Sequence, residues 1–295
     1  MRGSTLVLFL PIASALPEAY ASLVLLPAAE TTIGLVHART SAERIFCPEQ
    51  AENGNELSAA LAALPRGLTL DVGSYDGSNA IAYAAAGHQV LAFEPSPTTS
   101  ALINRTFASS PQAVDLKLYP MAVSNASGVL PFYVSEQRGT RSNIVHDGTD
   151  GSEQDMLTEP SWPHHRVDVS VITLDEAVGP ERAVTYAKLD AQGHDHEAIM
   201  GAAALIRSHR LRRLAFEVAP GLSADAPLGY ARAVRFITSQ GYRCSSCSAG
   251  TPAAQPIEAV VENLLSQSVL HSRVDIRGWT NMVCYAPGFA PPPAR

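Results

Sequence analysis

An α/β fold with a mostly parallel central sheet and helices on both faces is predicted by three features of this sequence. From Leu68 onward, short apolar runs alternate with helical stretches at the spacing of successive crossover units. The first run closes on a glycine turn, Gly73 to Gly77, and the second on Glu94-Pro95. The bulk composition permits a single large core: 295 residues, 46% hydrophobic and 17% charged, is the profile of a folded domain, not of a disordered chain.

Element by element, Leu68–Val72 reads as a buried strand ended by Gly73. Ser78 to Ala86 is Ala-rich and free of Gly and Pro, so it reads as a helix closed by Gly87. Gln89–Phe93 is the second strand. Ser96 can cap a helix over Thr98–Ala108, with Pro97 suited to its first turn. Asp115–Tyr119 and Val129–Val134 follow as strands. The Gly/Ser/Thr/Asp-rich stretch from Glu136 to Pro163 is too long for an ordinary connection and predicts either a cover over a site or a disordered insertion. Strands are expected again at Val167–Ile172, Val184–Asp190, Leu211–Val218 and Asn281–Tyr285. Helices are expected at His194–Ile206, whose Ala198, Ile199, Ala202, Leu205 and Ile206 share a face, and at Tyr230–Ser239. The resulting organisation is a lead-in over residues 22–55, one domain over 56–286 and a Pro-rich tail over 287–295.

The first 21 residues carry a different signal. Arg2, the apolar run Leu6–Ala13 and the small-x-small site Ala19-Tyr20-Ala21 are laid out like a secretory signal peptide, and the run is too short for a comfortable bilayer span. A greasy N-terminal helix or a plastid transit segment is the competing reading, and with it a cytoplasmic or organellar location. Cys47, Cys244, Cys247 and Cys284 fit an oxidising route. Cys244 and Cys247 have the spacing of a redox or zinc pair, but no further zinc ligands lie nearby, so a disulfide or free thiols fits better and the pairing stays open. A net charge of −7 without a long Lys/Arg run argues against nucleic acid as the substrate. The basic group Arg207, Arg210, Arg212 and Arg213 reads as a helix end leading into a strand. Oligomeric state is silent in the sequence.

The chemistry is concentrated in two strand ends. In Asp71-Val-Gly-Ser-Tyr-Asp-Gly77, two glycines four apart let the backbone approach a neighbour closely, while Asp71 and Asp76 make the turn acidic. A pyrophosphate cradle requires a G-x-G-x-x-G turn of free N–H groups; here Tyr75 replaces the second glycine and carboxylates flank the turn, which disfavours a dinucleotide. A sulfonium cofactor carrying an amine suits it better. Glu94 closes the next strand, where a carboxylate can accept both hydroxyls of a ribose, and Pro95 turns the chain away.

Leu70-Asp-Val-Gly-Ser-Tyr-Asp-Gly77, Ala92-Phe-Glu-Pro-Ser-Pro97, Ala122-Val-Ser124, Ile172-Thr-Leu-Asp175 and Lys188-Leu-Asp-Ala-Gln-Gly193 occur in the order seen in FkbM-type methyltransferases. Asp195, Glu197, Ile199-Met-Gly-Ala202 and Phe216-Glu217 continue the resemblance, which spans roughly Leu68 to Pro220. It implies a Rossmann-like class I methyltransferase fold, S-adenosylmethionine as methyl donor and O-methylation of hydroxyls. The candidate cofactor-binding residues are Asp71, Gly73, Tyr75, Asp76, Gly77, Ser78, Glu94, Pro95 and Ala122. Tyr75 stands where the family commonly has asparagine, and His194 where an apolar residue is usual.

Methyl transfer from an activated sulfonium needs mainly alignment, with a base to help a protonated hydroxyl. Asp190, His194 and Glu217 are the candidate catalytic residues, with Asp195 and His196 beside them; Asp190, at a strand's C-terminal end, is the first choice for positioning or base work. Asp195 and Glu197 also suit a helix N-terminus electrostatically. No metal is expected. The acceptor class is a small-molecule, lipid-headgroup or glycan hydroxyl. A secreted or lumenal binding protein that has lost catalysis is the alternative reading, and a nicotinamide-dependent oxidoreductase is disfavoured by the acidic turn. Cleavage after Ala21 is expected, so N-terminal sequencing of protein from its native cells should begin at Ser22; an intact Met1 on cytosolic protein would overturn the secretory assignment.

Overall fold

The computed structural model describes residues 61–62, 64–111, 115–135, 143–144, 164–219, 226–246 and 280–289, all within the compact unit Leu35–Arg295. The lead-in, the signal-like segment and the tail beyond Phe289 lie outside the described residues, as does most of Glu136–Pro163.

The central sheet has seven strands: β1 (Leu68–Val72), β2 (Gln89–Phe93), β3 (Leu116–Tyr119), β8 (Val184–Leu189), β9 (Arg213–Val218), β10 (Arg243–Ser246) and β11 (Thr280–Tyr285). Their order is β10-β11-β9-β8-β1-β2-β3. Pairings from β3 to β9 are all parallel, whereas β11 runs antiparallel between β9 and β10. β1 and β8 are buried along their whole length, as expected of central parallel strands covered on both faces. The chain leaves β1 in opposite directions toward β2 and β8, so the switch point at which α/β sheets bind ligands lies at the C-terminal ends of β1 and β8.

Helix α1 (Ser78–Ala85) starts from Gly77 in the left-handed region and buries Ala80, Ala82, Tyr83 and Ala84. Tyr83 meets Tyr186 of β8 edge to face, with ring centres 5.8 Å apart. In α2 (Pro97–Ser109), Ser96 caps by accepting from the Thr99 N–H, Pro97 begins the first turn, and Ile103 and Phe107 are buried. The sequence also holds a helix that periodicity did not reveal: α3 (Leu174–Val178), a five-residue turn capped by Thr173 and stopped by Gly179.

A second sheet, ordered β4-β7-β5-β6, consists of β4 (Ala122–Val123), β5 (Gly128–Ser135), β6 (Asn143–Ile144) and β7 (His164–Ile172). β5 and β7 are antiparallel and β4 and β7 parallel; Phe132, Val134, Val169, Val171 and Ala122 form a small core of their own.

The single helix expected over His194–Ile206 is two: α4 (Asp195–Met200) and α5 (Ala203–Arg207). The break falls at Gly201, where an added Cβ would collide with the Ser124 carbonyl, so the chain runs hard against β4 there. Asp175 then caps α5, its carboxylate accepting from Ala204 N at 2.8 Å and Leu205 N at 2.9 Å. Helix α6 (Ala226–Ser239) buries Tyr230, Ala233, Val234 and Ile237, an i, i+3, i+4, i+7 face.

The basic group is structural. Arg210 donates to the carbonyls of Gly179 and Arg182, while Arg207 and Arg212 lie over the rings of Phe236 and Phe289. Among the described residues no helix is long and apolar enough to cross a membrane.

Cys244 and Cys284 are directly opposite on β10 and β11 and form a disulfide, a pairing the sequence left open. The bridge closes a 40-residue separation that includes residues 251–279. Replacing both cysteines by alanine should lower stability by about 2–4 kcal/mol in urea unfolding; a loss below about 0.5 kcal/mol would remove the bridge from the forces that hold this edge.

Candidate functional site

A cavity of about 250 Å³ opens at the switch point. The backbone builds its floor by continuing the ladder past the strand ends: Gly73 and Ser74 donate to the Phe93 carbonyl, Asp190 N to Val72 O, and Glu94 N to Tyr119 O. The ends of β1, β2, β3 and β8 and the β1–α1 turn are thereby held together.

Gly73 adopts φ +74°, and a Cβ on it would run into the backbone carbonyl of Asp190. The glycine lines the cavity, but the neighbour it approaches most closely is the adjacent strand end, not open ligand space. Gly77, at φ +78°, has its missing Cβ 2.9 Å from the Phe107 ring and so lets α1 pack on α2. Between them Tyr75 takes φ +50°, a region that suits asparagine far better than tyrosine.

Glu94 is the best-held carboxylate of the wall. Its Oε2 accepts from Tyr75 N at 3.0 Å and its Oε1 from Ser96 N at 2.9 Å. Burial pushes its carboxyl up to about 7, against the pull of those two N–H groups. Because the folded value exceeds the ordinary 4.5, its contribution to the stability of the ligand-free fold is greatest below pH 4.5 and is lost as pH rises through about 7.

On the β8 side, Asp190 is gripped at both oxygens, by Lys188 Nζ at 3.1 Å and Gln192 Nε2 at 2.8 Å. Lys188 is 5% exposed and stands opposite Asp71 in the β1–β8 register. Asp71 is fully buried; burial raises its carboxyl, and the Lys188 ammonium opposes that rise. One ammonium thus lies between two carboxylates on the sheet's central strands.

Of the residues expected to bind a cofactor, Gly73, Tyr75, Asp76, Ser78, Glu94, Pro95 and Ala122 line the cavity. Asp71 and Gly77 sit behind that surface. Asp76 also accepts from Ser78 N at 2.9 Å, which fixes the start of α1. Asp190 lines the cavity, whereas His194 and Glu217 are not on its surface. His194 is buried at the N-cap of α4, its Nδ1 3.9 Å from Glu197, with the His196 ring stacked 6.3 Å away. Glu217 lies in β9, and its backbone N–H donates to Asp195.

Asp195 is a tether, not a surface charge at a helix end. Fully buried, it accepts from Ala191 N at 3.1 Å and Glu217 N at 3.2 Å, so it ties the Asp190–Gly193 turn to β9. Burial, and then repulsion from Asp190, push its carboxyl up to about 7. Among the described residues no group of three or more His, Cys, Asp or Glu side chains is placed to hold a metal ion.

Sequence reasoning missed Lys188 and Gln192 as cavity residues. A signal for Lys188 was present: a lone cation in an otherwise uncharged strand, two residues before Asp190 and therefore on the same face. Met121 and Phe132 reach the cavity from the second sheet, a packing that no local pattern encodes.

The strand order, the acidic glycine turn and the carboxylate closing β2 define a nucleoside-binding α/β site of the methyltransferase type. The Methyltransferase FkbM domain matches residues 71–244, more than half of the chain, and the chain belongs to this family of S-adenosylmethionine-dependent methyltransferases. Among solved structures it is similar to an O-methyltransferase from Bacillus cereus in complex with SAH (9% identity, 91% of this chain and 89% of that one, TM-score 0.39). It is also similar to a precorrin-6y C5,15-methyltransferase from Geobacter metallireducens GS-15 (12% identity, 79% and 87% covered, TM-score 0.37). No curated protein sequence matches the chain.

The collision at Gly73 predicts that Gly73→Ala costs at least about 2 kcal/mol, while Gly288→Ala, at a similar positive φ but in open space, costs only about 1 kcal/mol. Equal losses in chemical denaturation would show that backbone conformation alone, not the approach to Asp190, makes Gly73 necessary.

Proposed function

We propose that this chain transfers a methyl group from S-adenosylmethionine to a hydroxyl of a sugar, lipid headgroup or small metabolite. The observation that carries the reading is that Glu94 and Asp190, from the ends of β2 and β8, face one cavity at the switch point. The residues present fit the cofactor. Asp76, Glu94 and Asp190 outnumber the single cation Lys188 on the wall, which favours a ligand bearing a sulfonium and an ammonium and repels a pyrophosphate. When bound, the cofactor supplies a methyl group already activated by positive sulfur.

The protein's own part is then to bind and to align. Glu94, oriented by two backbone N–H groups, is assigned the ribose hydroxyls, and the Gly73–Ser78 turn with Pro95 and Ala122 the rest of the nucleoside and its amino-acid tail. Asp190 is assigned the acceptor: Lys188 and Gln192 fix its plane, and the lone pairs they leave can orient a hydroxyl and take its proton. His194 and Glu217 are assigned to the packing that backs this turn. A secretory or otherwise oxidising location is part of the proposal; the Cys244–Cys284 pair supports it, because disulfides persist in such compartments.

Glu94→Ala should weaken S-adenosylmethionine binding by about 1–3 kcal/mol in isothermal titration. In the wild type a cationic ligand favours ionised Glu94, so binding should release a proton and tighten as pH rises from 5.5 to 7.5, with the inflection near 7. Unchanged affinity in Glu94→Ala, or a flat pH profile, would sink the ribose assignment.

A further inference from the structure

We propose that the ring of Tyr75 is a specificity-determining contact for the positively charged sulfur of the cofactor. The inference rests on the cofactor site proposed above. It begins from a cost without a structural return. Tyr75 sits at φ +50°, strained for a tyrosine, between two glycines that take such angles freely. The residue is 44% exposed and lines the cavity. Among the described residues its hydroxyl has no hydrogen bond and its ring no aromatic or cationic neighbour. A tyrosine ring carried on a left-handed backbone at the cavity wall, with no hydrogen bond or ring partner among the described residues, is placed to meet what enters the cavity.

The chemistry of the ligand decides which contact. A sulfonium carries no N–H or O–H, so it cannot donate a conventional hydrogen bond; anionic oxygens or an aromatic face must answer its charge. The carboxylates on the wall have other assignments: Glu94, held by the N–H groups of Tyr75 and Ser96, the ribose; Asp190, held by Lys188 and Gln192, the acceptor; and Asp76 the Ser78 N–H at the start of α1. Of the aromatic rings on that wall, Phe93 is stacked on Tyr119 and Phe132 is buried in the core of the second sheet, which leaves the ring of Tyr75. It is also next to the right place. Tyr75 N lies 3.0 Å from the Glu94 carboxylate assigned to the ribose, and in the cofactor a single carbon separates the sulfur from the ribose ring. The turn therefore presents a π face beside the sulfur.

The test compares two ligands that differ in this charge: S-adenosylmethionine, a sulfonium, and S-adenosylhomocysteine, a neutral thioether. Isothermal titration of the full chain gives the ratio of their dissociation constants for the wild type, Tyr75→Phe and Tyr75→Asn. Asparagine removes the ring while suiting the left-handed backbone, and thermal unfolding monitored by circular dichroism checks that each variant folds. The expected result is that Tyr75→Asn reduces the preference for the sulfonium roughly five- to thirty-fold. Tyr75→Phe should keep that preference, and in Tyr75→Asn the loss for the thioether should be the smaller of the two. An unchanged ratio in Tyr75→Asn overturns the proposal: equal losses for both ligands would put the ring on the nucleoside, and no loss for either would put it toward the acceptor. A wild type that binds neither ligand saturably would instead remove the cofactor site itself, and the Tyr75 contact with it.

Discussion

The contact between Gly73 and the Asp190 backbone is the constraint on which the site depends. Parallel strands normally keep their neighbours' side chains at a distance set by the ladder. Here the turn leaving β1 folds back over the end of β8 so closely that no Cβ fits between them. That closeness is what lets one cavity be shared by the β1–α1 turn, the end of β2 and the Asp190–Gln192 segment. It also places buried charges side by side. Asp71 and Lys188 are register partners on the two central strands, and Lys188 reaches forward to Asp190. Burial drives the Asp71 carboxyl toward neutrality at a depth that water does not reach, and the Lys188 ammonium opposes that drive.

Around this junction, much of what reads as a family motif works at a distance from the cavity. Ser124 donates to Glu197 at 2.6 Å, fastening β4 to α4. Asp175, leaving β7 through α3, caps α5, and Gly201 lets the α4–α5 corner rest on the Ser124 carbonyl. These contacts bind the small sheet to the helices that follow β8, so Phe132 and Ala122 stand over the cavity in a fixed place. Asp195 does the same from behind by holding Ala191 to β9. The motifs are therefore mostly joints, and the few side chains that meet a ligand depend on them for position.

The central sheet was legible because its strands are short, apolar and separated by residues that stop structure for physical reasons. Val72-Gly73, Phe93-Glu94-Pro95 and Leu189-Asp190 announce their own ends, and those ends are where the site lies. Glu94 was legible for the same reason. The α4–α5 break was not: periodicity runs smoothly from Ala198 to Ile206, and the interruption comes from a carbonyl more than seventy residues earlier in the chain. Nor was the partner of Cys284, because β10 and β11 become neighbours only when β11 inserts beside β9. Lys188 lay between these cases. Its burial in β8 was implied by the strand, but its pairing with both Asp71 and Asp190 required knowing that β1 and β8 are adjacent.

The same division explains why cofactor and acceptor are unequally readable in this fold. The side proposed for the cofactor is made by strand ends and one turn, elements whose chemistry is local and whose order is dictated by right-handed crossovers. The side proposed for the acceptor carries Asp190 from the end of β8, Phe132 from β5 and Met121 from just before β4. None of these is specified by a neighbour in sequence, and a binding site composed of such pieces can change its substrate without disturbing the sheet. A family built on this plan can keep one donor while its acceptors diverge. Among the residues that touch the cavity, Tyr75 stands out, at φ +50° and 44% exposed, with its backbone N–H held by Glu94 and its ring turned to no aromatic or cationic partner among the described residues.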